Sequence, residues 1–186
     1  MIDIKQITAK LTELTFSYIS PVSHAASEVV IDYGHVAQRK IIDILAFKPE
    51  HQMSVDGIEK GQFTCYEIKS CYEDVYSGNG LNFIGEKNYL VTTFETYLKL
   101  KDEQDKLSQH IQSVNSESYN SIGYSVGILV PVPIGKSLLD EYDGHTPFSV
   151  DGSYRLLNAQ PCYQQHRKRS LIELMFCLMR AATNGR

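Results

Sequence analysis

Two carboxylates and an ammonium stand at positions that suit metal-assisted hydrolysis: Asp43 within Arg39-Lys-Ile-Ile-Asp-Ile-Leu-Ala-Phe47, and Glu67 with Lys69 within Phe63-Thr-Cys-Tyr-Glu-Ile-Lys-Ser70. Both stretches are rich in β-branched and aromatic residues and read as strands. Side chains alternate faces along a strand, so Glu67 and Lys69 point the same way, roughly 7 Å apart. Asp43 interrupts an apolar run, where a lone carboxylate is costly unless it is paired or bound to a cation. If the two strands are neighbours, Asp43 and Glu67 converge on one divalent ion with Lys69 beside it. The same side chains also fit a buried ion-pair network without chemistry. Two carboxylates against one ammonium would leave that network a negative charge without a partner.

The elements that must position these groups follow from periodicity. Ile4, Ile7, Leu11, Leu14 and Tyr18 recur at helical spacing, so residues 2–19 read as an amphipathic helix ended by Pro21, and a loop with His24 follows. Glu28–Ile31 reads as a short strand, Asp32–His35 as a turn and Arg39–Phe47 as the returning strand of a hairpin. The polar, turn-rich residues 48–62 read as a hairpin loop, long enough either to fold over a groove or to be a plain surface insertion. Phe63–Ser70 is then the third strand. Tyr72, Val75 and Tyr76 fall near helical spacing before Ser77-Gly-Asn-Gly80 breaks the pattern. Neither GxxxxGK[ST] nor a post-strand GxGxxG occurs, which rejects nucleotide binding there. These glycines either let the backbone come close to the site or to phosphates, or turn the chain back into the sheet. Asn88–Thr93 reads as a fourth strand, Phe94 to about Val114 as one helix, Ile122–Val132 as a strand demoted by Pro131 and Pro133, and Tyr154–Leu157 as a last strand. Residues 134–152 give no clear pattern.

At the C-terminal end, His166-Arg167-Lys168-Arg169 leads into a stripe of Leu171, Leu174, Met175, Leu178, Met179 and Ala182. A basic cluster at a helix N-terminus adds to the positive dipole end and favours phosphate, while solvation or local ion pairs would also account for it. Arg39 and Lys40, just upstream of Asp43, could likewise meet a phosphate or form a salt bridge.

Composition narrows the class. At 186 residues, with 42% hydrophobic and 22% charged residues, the chain fits one domain spanning 1–186 with a core of useful size. No apolar run spans a bilayer and the N-terminus lacks a signal-peptide layout, so a cytoplasmic location and no membrane partner are expected. Cys65, Cys71, Cys162 and Cys177 form no CxxC pair and read as reduced structural thiols inside strands and helices. The net charge of -4 argues mildly against nucleic-acid binding. The distribution of charge matters more than the sum. Alternating helices and strands indicate α/β with a mixed central sheet flanked by helices.

Ile42-Asp43, the intervening strand and loop, and Glu67-Ile68-Lys69 resemble the PD-(D/E)xK nuclease signature. The surroundings sharpen the likeness. Ser27-Glu-Val-Val, Arg39-Lys-Ile-Ile-Asp43, Tyr66-Glu-Ile-Lys-Ser-Cys-Tyr-Glu-Asp74 and Asn88-Tyr-Leu-Val91 resemble the MmcB-like DNA-repair proteins and related phage-encoded proteins of that superfamily. The resemblance covers about Glu28 to Val91 and resumes near the C-terminus, where the relatives also carry a basic stretch before a Leu-rich helix. It implies a restriction-endonuclease-like core, Mg2+ or Mn2+ as cofactor, DNA as partner, and an acidic residue at Glu28 that helps hold metal. The role implied is hydrolysis of DNA in repair, recombination or phage DNA processing, and a homodimer is one arrangement such nucleases use. In that scheme Asp43 and Glu67 are hard oxygen ligands, the Ile68 carbonyl a third, and Lys69 a base or a stabiliser of phosphorane charge. A non-catalytic nucleic-acid- or protein-binding factor on the same fold is the alternative, and no residue pattern separates DNA from RNA as substrate.

Overall fold

The computed structural model describes residues 3–31, 39–115, 125–138 and 148–184, and in it six strands lie side by side in chain order. They are β1 (His24–Ile31), β2 (Lys40–Lys48), β3 (Gln62–Lys69), β4 (Lys87–Thr92), β5 (Gly127–Pro133) and β6 (Tyr154–Gln160). The β1–β2, β2–β3 and β5–β6 pairs are antiparallel, and β3–β4 and β4–β5 are parallel, so the sheet is mixed. Parallel neighbours need crossovers. α3 (Tyr72–Val75) lies between β3 and β4, and α4 (Phe94–Lys101) with α5 (Gln104–Val114) between β4 and β5. α1 (Ile4–Tyr18), α2 (Val55–Glu59) and α6 (Leu171–Asn184) complete the helices among the described residues.

Strand alternation sends apolar side chains to both sides of the sheet. On one side Ile44, Ala46, Tyr66, Ile68, Val91 and Leu129 pack under Leu11 and Leu14 of α1. The other side carries two clusters. Ala26, Val29, Ile42, Leu45, Phe47, Phe63 and Cys65 lie under Leu174, Cys177 and Leu178 of α6. Leu90, Ile128, Val130 and Val132 lie under Leu100 of α4 and Leu107 and Ile111 of α5. Glu67 and Lys69 share the face of Phe63 and Cys65, so they fall at the seam between these two clusters.

Several expectations change. His24 and the residues after it belong to β1, which is longer than Glu28–Ile31. The helix expected over 94–114 breaks at Asp102–Glu103. The polar run there has no apolar anchor, and Glu103 instead accepts hydrogen bonds from the Tyr72 hydroxyl and from Lys106. In the 48–62 loop, Ser54 caps the short α2, and the loop joins the Lys48↔Gln62 end of its hairpin, away from Asp43 and Lys69. Ile4 and Tyr18, expected inward, are exposed at the ends of α1, and Met179 is exposed on α6. Cys65 and Cys177 are buried as expected, and burial pushes the Cys65 thiol up to about 12. Cys71 caps α3 and Cys162 follows β6, so neither lies inside an element, and all four are free thiols. The turn expected at Asp32–His35 lies outside the described residues, as do residues 122–124 of the strand expected over Ile122–Val132 and residues 139–147. No helix among the described residues is long and apolar enough to cross a membrane.

The packing of α6 gives a direct check. Leu174 is 0% exposed and Ile172 is 81% exposed on the same helix. Leu174→Ala should cost about 2–5 kcal/mol in urea unfolding, whereas Ile172→Ala should change stability by less than about 0.5 kcal/mol.

Candidate active site

Register sets three acids in one row across the sheet. β1 and β2 pair as Ser27↔Ile44 and Val29↔Ile42, so Glu28 stands opposite Asp43. β2 and β3 pair as far as Ile44↔Tyr66, and one step further sets Asp43 opposite Glu67. Neither of these two positions is itself part of the ladder.

The reason is a matched slip in both outer strands. Ala26 and Val29, three residues apart, belong to the same buried cluster, and so do Ile42 and Leu45. Strict alternation would put each pair on opposite faces. One additional residue is therefore accommodated on each strand, at Glu28 and at Asp43. Glu28 takes it up with φ +51, a left-handed conformation costing of order 1–3 kcal/mol for a non-glycine residue. Asp43, out of step with the ladder, uses its own side chain instead, and its Oδ2 accepts the Ile68 N–H at 2.7 Å.

Glu67 is 0% exposed. Its two oxygens accept the N–H groups of Leu81 (3.1 Å) and Asn82 (3.0 Å). Lys69, 6% exposed, donates to the Asn79 carbonyl at 2.6 Å and lies 3.5 Å from Oδ1 of Asp74. Asp74 in turn accepts from the Ser70 N–H at 3.2 Å, which fixes it beside the strand end. The loop that supplies these groups passes close over the pair. A Cβ on Gly80 would sit 2.9 Å from Glu67 Oε2 and 3.2 Å from Lys69 Nζ, at φ +76. Of the two roles open for the glycines, Gly80 thus serves close approach to the site. Gly78, at φ +78 with nothing near its missing Cβ, serves the turn.

The loop is itself anchored from two sides. Asn115, at the end of α5, accepts the Phe83 N–H and donates to the Leu81 carbonyl, while the Asn82 side chain donates to the Ile41 carbonyl of β2 at 2.8 Å.

The Asp43 and Glu67 carboxyls lie near enough on neighbouring strands to shift each other's ionisation, and two acids so placed favour a proton or a cation between them. Burial pushes the Asp43 carboxyl up, opposed by the Ile68 N–H and Lys69, with Asp74 adding to the rise. Glu67 is pushed well above the ordinary range by burial first and Asp43 second, against the Asn82 and Leu81 N–H groups and Lys69.

A cleft of about 970 Å³ opens over this row, lined by Glu28, Asp43, Ile68, Lys69, Gly80 and Asn82, by Arg39 and Lys40, and by Arg180. Glu67 lies behind the loop and does not line it. The basic cluster is placed elsewhere. Arg167 forms a 2.9 Å ion pair with Glu86, whose other oxygen accepts the Phe63 N–H, and Arg169 lies 3.7 Å from Glu173. Lys168 bonds the Ile84 carbonyl through its backbone, and none of His166, Arg167, Lys168 or Arg169 lines the cleft. Asp74, Asn82, Asn115 and Arg180 were not foreseen as site residues. Ser70 and Asp74 four positions apart, directly after Glu67-Ile-Lys69, were the available signal for the first. Among the described residues no group of three or more His, Cys, Asp or Glu side chains is gathered as a metal cage.

Compared with known proteins, the chain matches no family model, no curated protein and no solved structure.

Two measurements check this geometry. The acid pair binds protons more tightly folded than unfolded, so its contribution to stability is full below the ordinary carboxylate pKa and is lost as pH rises through the raised values. In metal-free buffer Tm should fall as pH rises above the ordinary carboxylate range, and Glu67→Gln should flatten that fall; an identical pH dependence in the variant would contradict the raised acid pair. Gly80→Ala should cost about 1–2 kcal/mol from its left-handed backbone alone, measured by urea unfolding, with more from the crowded carboxylate.

Proposed function

We propose that the chain is a divalent-metal-dependent nuclease that hydrolyses DNA phosphodiester bonds on a restriction-endonuclease-like core, acting in repair, recombination or phage DNA processing. The observation that carries this reading is the register that sets Asp43 opposite Glu67 on neighbouring strands, with Lys69 buried two residues along the same strand as Glu67. Two acids so placed are a site where a cation can replace a proton. Mg2+ is held through one or two carboxylates together with water and substrate phosphate, and Asp43 with Glu67 would supply that donor set. The Ile68 carbonyl and Glu28 would be further oxygen donors.

When bound, the ion would polarise a phosphate oxygen and lower the pKa of water. The chain's own residues do the rest. The Ile68 N–H and the Leu81 and Asn82 N–H groups fix the carboxylates without satisfying all their lone pairs. Asn79 and Asp74 hold the Lys69 ammonium beside Glu67, where it orients the attacking water or offsets charge on the phosphorane.

One observation favours a second reading, a non-catalytic nucleic-acid- or protein-binding factor on the same frame. Glu67 is fully buried behind residues 79–82, and each of its oxygens already accepts a backbone N–H. Cleavage separates the two. Labelled single-stranded, duplex, flapped and branched DNA, with matched RNA, should show metal-dependent cleavage of DNA in Mg2+ or Mn2+. Asp43→Ala should reduce it to background, and Lys69→Ala should slow it about 10²–10⁴-fold. No cleavage of any substrate by the unaltered chain would establish the binding reading instead.

A further inference from the structure

The most conspicuous basic run in the chain is not on the cleft, and Arg180, toward the C-terminal end of α6, is. Arg180 lies ten residues beyond Ser170 on the α6 side, roughly 15 Å along the helix from the basic cluster, and it lines the same cleft as Asp43 and Lys69. Its guanidinium is held in two ways. One Nη donates to the Val30 carbonyl of β1 at 2.8 Å, and the group sits over the Phe176 ring with its Cζ 5.6 Å from the centroid. Val30 pairs with Ile41, two residues along each strand from the Glu28–Asp43 row, so the anchor point is roughly 7 Å from the acids.

A guanidinium held over an aromatic ring and aimed along a cleft meets phosphate with less loss of side-chain freedom than a solvated one. Arg39 and Lys40 line that cleft from the start of β2. By contrast Arg167 is spent on Glu86, which in turn supports the Phe63 N–H inside the frame.

We propose that Arg180 is a DNA-backbone contact, the third member of a phosphate-binding wall with Arg39 and Lys40, and that Arg167 contributes none of it. This rests on the nucleic-acid reading above but not on cleavage. The test is equilibrium binding of a fluorescent duplex 20-mer to the Asp43→Asn chain across a series of salt concentrations, without divalent metal. Each phosphate contact removes about 0.7–0.9 from the slope of log K against log salt when it is lost. Arg180→Gln should reduce the slope by about that amount, Arg180→Lys should retain most of it, and Arg167→Gln should leave it unchanged. An unchanged slope in Arg180→Gln, an equal loss in Arg167→Gln, or no binding by the Asp43→Asn parent would overturn the proposal. Should Arg180→Gln fail to fold, phenylglyoxal modification of the unaltered chain decides: DNA should slow reaction at Arg180 several-fold, and no protection there refutes the contact. Binding with the expected slopes but without cleavage by the unaltered chain would remove the nuclease reading and leave this one standing.

Discussion

Two carboxyls held close together inside a folded protein impose a condition on everything around them: something positive must lie between or beside them. Here that condition falls on half-buried Asp43 and fully buried Glu67, on adjacent strands. Without a cation the pair favours retaining a proton, which neutralises it at the expense of readiness to ionise. Lys69 reduces the imbalance without removing it, because its ammonium is divided among Asn79, Asp74 and the pair.

Bringing the pair together needs the backbone to leave its regular pattern. The matched slip at Glu28 and Asp43 keeps β1 and β2 in register on both sides while freeing the Asp43 side chain from the ladder position it would otherwise occupy. The left-handed Glu28 carries the strain of that arrangement. On the opposite flank, the 79–83 loop turns its N–H groups onto Glu67, and it can do so because Gly80 has no Cβ and because Asn115 clamps its far side. A sheet defect and a glycine loop thus act from either side on one carboxyl pair.

Much of this was readable in advance for a simple reason. A charged residue inside an apolar strand is conspicuous, which exposed Asp43, Glu67 and Lys69, and strand alternation fixed which of them share a face. Hairpins and parallel crossovers followed from the spacing of apolar runs and turns. The slip at Glu28 was not readable, since it is defined by which cluster Ala26 and Val29 join and not by residue type. Nor was the break between α4 and α5, where Leu100 and Leu107 keep helical spacing across a gap that tertiary contacts of Glu103 and Tyr72 open. The basic cluster drew attention by concentration, yet Arg167 is committed to a buried acid. Arg180, hidden in an apolar stripe, took its significance from where α6 lies along β1. Asn115 takes its role from the fold alone, which gives it the Leu81 carbonyl to hold.

The central claim, that Asp43 and Glu67 jointly hold a divalent ion, is tested most directly by diffraction from crystals soaked in Mn2+ at a wavelength where manganese scatters anomalously. The account predicts one anomalous peak at about 2.1 Å from an oxygen of each carboxylate, lost in Glu67→Gln. Density showing no peak between the two carboxyls at saturating Mn2+ would contradict it.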